Sequence, residues 1–386
     1  MGQDFQSNRI ALSLAAALAL CGPASAQETT WDKFVEDPVA TGGEFLNSLK
    51  SSLGNWTRGT PAVTLTMCWG SDKTAIADDP AIIDAWLKQP GNEKIKITFP
   101  RDANKKLFGS GDVMKRWESG EDDCSTVSPD ASIVGMRSAK WDPSQAILIA
   151  SSMVVAVVNP DVAEVIGKHY GKDPNALTFP ELVQLAGKTW SDIDPSKDNW
   201  GLVKVLASNC ARSASCQVVA VSLPYSAKKS WSLSGRDIDD PAVKDILDAY
   251  KNNVDHSESS TSRLTQQCFL NPVSCDVFFT YESQVPDIEK NIPGARVLYG
   301  DRVVQADHAV MITATDPAVR AAAARFVDYM RSAPVQKRLA EHHGLRPAVV
   351  VQVDGPVAKL KQMRLGMVKP NPIFVKATLA YVTAGK

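Results

Sequence analysis

From Pro61 onward the chain alternates two kinds of apolar pattern. Short apolar runs suit strands, and repeats at helical spacing suit helices buried on one face. AVTLTMCW (Ala62 to Trp69) predicts a strand, and the polar turn Gly70-Ser71-Asp72-Lys73-Thr74 follows it. Further strands are expected at Lys94 to Phe99, Asp130 to Met136, Trp200 to Ser208, Ala295 to Tyr299 and His308 to Thr313, with CDVFFTYES (Cys275 to Ser283) as another. ILIASSMVVAVV (Ile147 to Val158) is a long apolar run broken by Ser151-Ser152. Asp79-Pro80, Asp240-Pro241 and Asp316-Pro317 each start a helix with proline at its first position. Gly109 to Trp117 opens another helix, the capping pattern at Thr178 a further one, and Ser332 to Gly344 reads as a helix closed by glycine. Strands alternating with helices predict an α/β fold with largely parallel sheets, whose ligands sit at the carboxyl ends of strands.

Two segments fall outside that alternation. Residues 1–26 read as a signal peptide, with Arg9 before the apolar run Ile10 to Cys21 and Ala24-Ser25-Ala26 as a small-residue cleavage site. Leu20 stands where a lipoprotein signal wants a small residue before Cys21. Residues 27–60 read as an amphipathic helical extension. The tail after Ala348 is weakly patterned and partly helical.

Charge narrows the partners. The formal net charge is −1, with no long run of one sign, so nothing points to nucleic acid or an anionic membrane surface. Of the seven cysteines, Cys21 lies in the leader. The even set that remains reads as disulfides in an exported protein. Proximity favours Cys210–Cys216 and Cys268–Cys275, which leaves Cys68–Cys124. No CxxC is present and no His stands at ligand spacing from a Cys, so no metal site is expected.

Candidate chemistry gathers at strand ends. Tyr281, Glu282 and Ser283 close one apolar strand, Ser71 and Asp72 another, and Ser138 and Ser208-Asn209 two more. Recurrence on strands far apart in sequence suggests one crevice. Gly109-Ser110-Gly111 before a helix can cradle an anion through backbone N–H groups, or can act only as a cap. Tyr281 can stack or donate. Glu282 can accept from a ligand or form a structural ion pair, with Lys73 and Arg137 as candidate counter-charges. Asp307-His308 places its side chains on opposite faces of a strand and does not form an acid–base pair. No GxSxG, HExxH or P-loop is present, so an enzyme is not expected.

Several pieces together resemble one family: GSGDVMKRWESGEDD, SPDASIVGMRS, IASSMVVAVVNPDVA, STSRLTQQC, DVFFTYES, VLYGDRVVQADHAVMI and AARFVDYMRSAPVQKRLAEHHGLRPA. Their order and content resemble bacterial extracellular (periplasmic) solute-binding proteins of the type 2 periplasmic-binding superfamily. The resemblance implies a two-lobe α/β fold with a hinge and an interlobe cleft. Residues 61–150 and 309–386 would form one lobe and 151–308 the other, with hinge segments near 151–158 and 303–309. It implies one small polar or anionic solute, a membrane permease of the ABC type as partner, no cofactor and a monomer. The expected ligand-binding set is Ser71, Asp72, Ser110, Gly111, Ser138, Ser152, Tyr281 and Glu282. The alternative is the same fold acting as a periplasmic assembly or activation factor, with the extension, the Ser208 to Cys216 loop and the tail as its interface.

Overall fold

The computed structural model describes residues 63–130, 133, 135, 138–354 and 367–384; the signal peptide and the 27–60 extension lie outside them. All described residues belong to the unit Val63–Lys386. Its strands are β1 (Val63–Trp69), β2 (Ile95–Thr98), β3 (Thr126–Ser128), β4 (Ile147–Ser152), β5 (Val154–Val158), β6 (Val205–Leu206), β7 (Val277–Tyr281), β8 (Arg296–Tyr299), β9 (Val303–Val304), β10 (Ala306–Ile312), β11 (Arg346–Pro347) and β12 (Met367–Val368).

The first sheet has the order β11-β4-β10-β3-β1-β2, and the second the order β6-β7-β5-β8. A two-stranded ribbon pairs β12 with β9. In the first sheet β1 runs parallel to β2 and β3, as expected of strands joined through helices. The sheets are mixed, however, and not largely parallel. β4 carries the chain out toward the second sheet and β10 carries it back, so the two lie antiparallel. β5 is antiparallel to both β7 and β8 for the same reason of path.

Local sequence explains the helix ends. Asp79 caps Pro80–Leu87 by accepting from the Ala81 N–H at 2.9 Å. The helix Ser110–Ser119 stops at Gly120, whose φ of 76° suits a residue without a Cβ. Each sheet has its own core. Leu65, Met67, Trp69, Ile149, Val310, Phe326 and Leu339 are buried together around the first. Val154, Ala156, Phe179, Val221, Tyr250 and Phe279 are buried around the second.

Three differences from the sequence expectations bear on the site. Among the described residues of the Asp130 to Met136 stretch, Asp130 makes only an isolated bridge to His308 and neither Ile133 nor Gly135 is in a strand; the third strand is Thr126–Ser128. The Trp200–Ser208 run contributes only Val205–Leu206. The terminal helix Pro372–Thr383 does not join the first lobe with 309–354. Phe374, Val375, Leu379 and Val382 are buried in the second sheet's core, because the helix presents them to its hydrophobic cluster.

Candidate functional site

At the β4–β5 crossing, Met153 is the single residue between the two strands. Its N–H donates to Glu282 Oε1 at 2.9 Å, and its carbonyl accepts from the Glu282 N–H at 2.9 Å. Glu282 is fully buried at the end of β7, and Arg346 of β11 grips it in a fork, Nε to Oε1 at 2.6 Å and NH2 to Oε2 at 2.9 Å. Burial pushes the Glu282 carboxyl up, and Arg346 opposes that shift. The counter-charge is Arg346, from the GLRPA stretch, and not Lys73; Arg137 lies outside the described residues.

A second buried cluster lies along β1, β3, β7 and β10. Asp72 follows β1 and holds Lys73 Nζ at 2.9 Å and His308 Nδ1 at 2.7 Å, both on Oδ2. Burial opposes ionisation of Asp72, but Lys73 and His308 together outweigh it and hold the carboxyl well below the usual range. Tyr281 donates to Asp130 Oδ2 at 3.2 Å, and the Asp130 N–H donates to Ser110 Oγ at 3.1 Å. Burial, then the charges of Asp130 and Asp72, push the Tyr281 hydroxyl well above its ordinary value, so it stays a donor. Asp307 turns the other way and accepts from Gln305 Nε2 at 2.7 Å, so it does not assist His308.

Outside this cluster a cavity of about 410 Å³ opens between segments of both sheets. From the first come Ser71, Asp72, Thr74, Asp102, Lys106, Gly109 and Asp112; from the second, Arg212, Ser259, Ser260, Ser262, Arg263, Gln284 and Asp287. Two ion pairs span it. Arg212 reaches Asp112 Oδ2 at 3.0 Å, and Arg263 reaches Asp102 Oδ2 at 3.0 Å. Lys106 Nζ donates across to Gln266 at 2.9 Å.

The Cys210–Cys216 disulfide staples the loop that carries Arg212. The loop lies directly on the Gly109-Ser110-Gly111 turn. A Cβ added to Gly109 would come within 2.5 Å of the Arg212 carbonyl oxygen, and one on Gly111 within 3.1 Å of that of Ala211. That turn therefore meets backbone carbonyls in this structure and not an open anion cradle. Ser208, Ser213, Ser215 and Thr261 link the loop to the Ser259–Arg263 wall through hydroxyl contacts, including Ser208 to Ser215 at 2.8 Å and Ser213 to Thr261 at 3.1 Å.

Of the eight residues expected to bind ligand, Ser71 and Asp72 line the cavity. Ser110 and Tyr281 stand behind it in the buried cluster. Gly111 packs on the stapled loop, Glu282 sits at the crossing, and Ser152 is fully buried at the end of β4. Ser138 accepts from the Lys140 N–H at 3.1 Å in a local turn and does not line the cavity. Sequence reasoning missed Asp102, Lys106, Asp112, Arg212, Arg263 and Asp287. The stapled loop and the STSR stretch stand out in the sequence as segments, but no local pattern singles out their charged residues.

The three disulfides pair Cys68 with Cys124, Cys210 with Cys216, and Cys268 with Cys275. Cys210, Cys216 and His256 have ligand atoms within 4.8 Å of one another. The two sulfurs are bonded to each other, and both His256 nitrogens face carbonyls, Ser208 O at 3.1 Å and Tyr250 O at 2.8 Å. With both sulfurs in a disulfide, no thiolate is available to a metal there.

A family model described as bacterial extracellular solute-binding protein matches residues 105–346, more than half of the chain. No curated protein matches it. Among solved structures, the sulfate-binding protein SubI from Mycobacterium tuberculosis H37Rv is similar with a TM-score of 0.56 at 15% identity, over 81% of this chain and 95% of that one. The Atu4243-GABA receptor gives 0.54 at 12% identity, over 84% and 98%. The ferric binding protein from Campylobacter jejuni gives 0.51 at 10% identity, over 83% and 96%. These likenesses are of fold: two lobes of mixed α/β structure. The family is one of exported solute-binding proteins and not of enzymes. With residues 105–346 carrying the family pattern on this two-lobe frame, the chain belongs to the bacterial extracellular solute-binding proteins.

Proposed function

We propose that the protein captures one small polar solute in the cavity between its lobes and delivers it to an ABC-type permease, after export to the periplasm by a cleaved leader. The observation that carries this reading is the 410 Å³ cavity, walled by segments of both sheets and spanned by Arg212–Asp112 and Arg263–Asp102. The chain passes from one sheet to the other at Met153 and returns between β9 and β10, and these are the hinge strands. Solute that touches both walls only when they meet favours the closed form by its differential affinity. Asp72, Ser71, Arg212 and Arg263 are the contact residues in this reading. Tyr281 and Ser110 fix the wall behind them, and Glu282 holds the hinge.

The names of the similar structures mention sulfate, GABA and ferric iron, so the fold leaves the solute's chemistry open. Native mass spectrometry of the mature protein from periplasm tests the reading. A small mass bound one-to-one and released on unfolding is the expected result. An empty protein whose melting temperature responds to no member of a broad solute panel would overturn it.

A further inference from the structure

The charges that line the cavity pair off, and the remainder bears on the solute; this step rests on the solute-capture reading above. Asp72 is matched by Lys73, Asp112 by Arg212 and Asp102 by Arg263. Two lining charges are left over. Lys106 of the first lobe and Asp287 of the second have no ion-pair partner among the described residues. One charge of each sign therefore remains, and the two stand on opposite walls.

The neighbours of Lys106 cannot neutralise it. Its side chain is half-buried, and its ammonium reaches across to the Gln266 side-chain oxygen, an uncharged acceptor, at 2.9 Å. Gln266 and Arg263 are three residues apart on the helix Thr261–Leu270 and so share a face, which sets a second cation beside Lys106. The one carboxylate at that end is Asp102, and both of its oxygens are occupied. Oδ1 accepts the N–H groups of Asn104 and Lys106 at 2.8 and 3.0 Å, and Oδ2 accepts from Arg263 at 3.0 Å. This end of the cavity carries a net positive charge that a solute acid group can meet. Asp287 is exposed at the other wall, where a solute cation can reach it.

Other solute classes fit less well. A simple anion pairs with Lys106 and leaves Asp287 unmatched, and a metal cation does the reverse. A sugar wants an aromatic face to lie on. Phe108 is the one aromatic side chain in the lining, and the Arg116 guanidinium already sits 4.3 Å from its ring centroid.

We propose that the solute is a small zwitterion. Its acid group lies on Lys106 beside Arg263, and its cationic nitrogen lies on Asp287. Each end touches a different lobe, so the solute completes the charge pairing only when the lobes meet.

Matched sets test this by titration calorimetry. L-alanine and β-alanine are compared with propionate and ethylamine, and 5-aminopentanoate with pentanoate and butylamine, so that the spacing of the two charges varies; sulfate and glucose run alongside. The best zwitterion binds about tenfold or more tightly than its acid or its amine, the scale of one hydrogen bond between charged groups. Asp287→Asn brings it level with the acid, and Lys106→Gln brings it level with the amine. Melting curves check that each variant is folded, and the wild-type ratios stand without the variants. An acid or amine that binds as tightly as its zwitterion, a preference that survives both substitutions, or binding of sulfate or glucose alone overturns the inference and leaves solute capture standing. If no panel member binds, the solute that copurifies decides, identified by its mass and fragments. One with both a basic nitrogen and an acid group supports the inference, and any other overturns it. An empty protein that no solute stabilises overturns both.

Discussion

Glu282 shows how one side chain can fix a crossing between two sheets. Its carboxylate takes a backbone N–H of the connecting residue and a forked arginine from a strand of the other sheet. Removing one partner of such a buried pair strands the other charge. Glu282→Gln is expected to cost roughly 3–5 kcal/mol in urea unfolding, and Arg346→Met a similar amount. Asp79 works the same way at a helix start. It caps Pro80–Leu87 and binds Arg338 Nε at 2.6 Å and His343 Nε2 at 2.7 Å. Burial opposes its ionisation, but hydrogen bonds from Arg338, then His343, prevail and lower its carboxyl to about 2 from 3.8. A depressed carboxyl contributes stability above its unfolded value and loses it as pH falls through the folded one. The melting temperature should therefore drop between pH 4 and 2, with a shallower acid limb in Asp79→Asn. The sequence placed Tyr281-Glu282-Ser283 at a strand end, and that is where Tyr281 and Glu282 lie. It could not name Arg346 as the partner, because a pairing 64 residues away leaves no local pattern.

At the scale of elements, helix starts written as Asp-Pro were legible because capping is local chemistry, and Pro317–Met330 begins where Asp316-Pro317 predicts. The third strand was not. Thr126 and Ser128 are buried polar residues whose partners are distant: Trp69 Nε1 donates to Thr126 Oγ1 at 3.2 Å, and Ser128 Oγ donates to the Ala309 carbonyl at 2.8 Å. Without those partners in view, the stretch reads as a loop. The contact between the stapled loop and the start of Ser110–Ser119 was equally hidden, since it joins segments about a hundred residues apart. It gives a sharp test. Gly109 has φ −60° and ψ 152°, which alanine adopts freely, so the only penalty of Gly109→Ala is the collision with the Arg212 carbonyl. That variant should keep its melting temperature, stay more open by small-angle scattering, and bind solute about tenfold or more weakly.

For the whole molecule, the cross-cavity pairs predict a salt response. Arg212–Asp112 and Arg263–Asp102 are partly exposed, with the arginines 54% and 36% accessible. Such pairs contribute about 1 kcal/mol or less each and weaken with ionic strength. Scattering at rising salt should show the solute-free protein expanding, whereas the solute-bound protein should not. The α/β class was legible at this scale, but the mixed sheet order was not, because strand direction follows from the path of the chain between lobes. That path has a mechanical consequence. The chain crosses between the sheets after β4 and again before β10, and β4 and β10 are neighbours in the first sheet. Two straps set side by side behave like a piano hinge, which folds readily about one line and resists torsion about any other. A solute then has to order a single swing and not a tumbling pair of bodies, so even a few contacts across the gap can hold it shut.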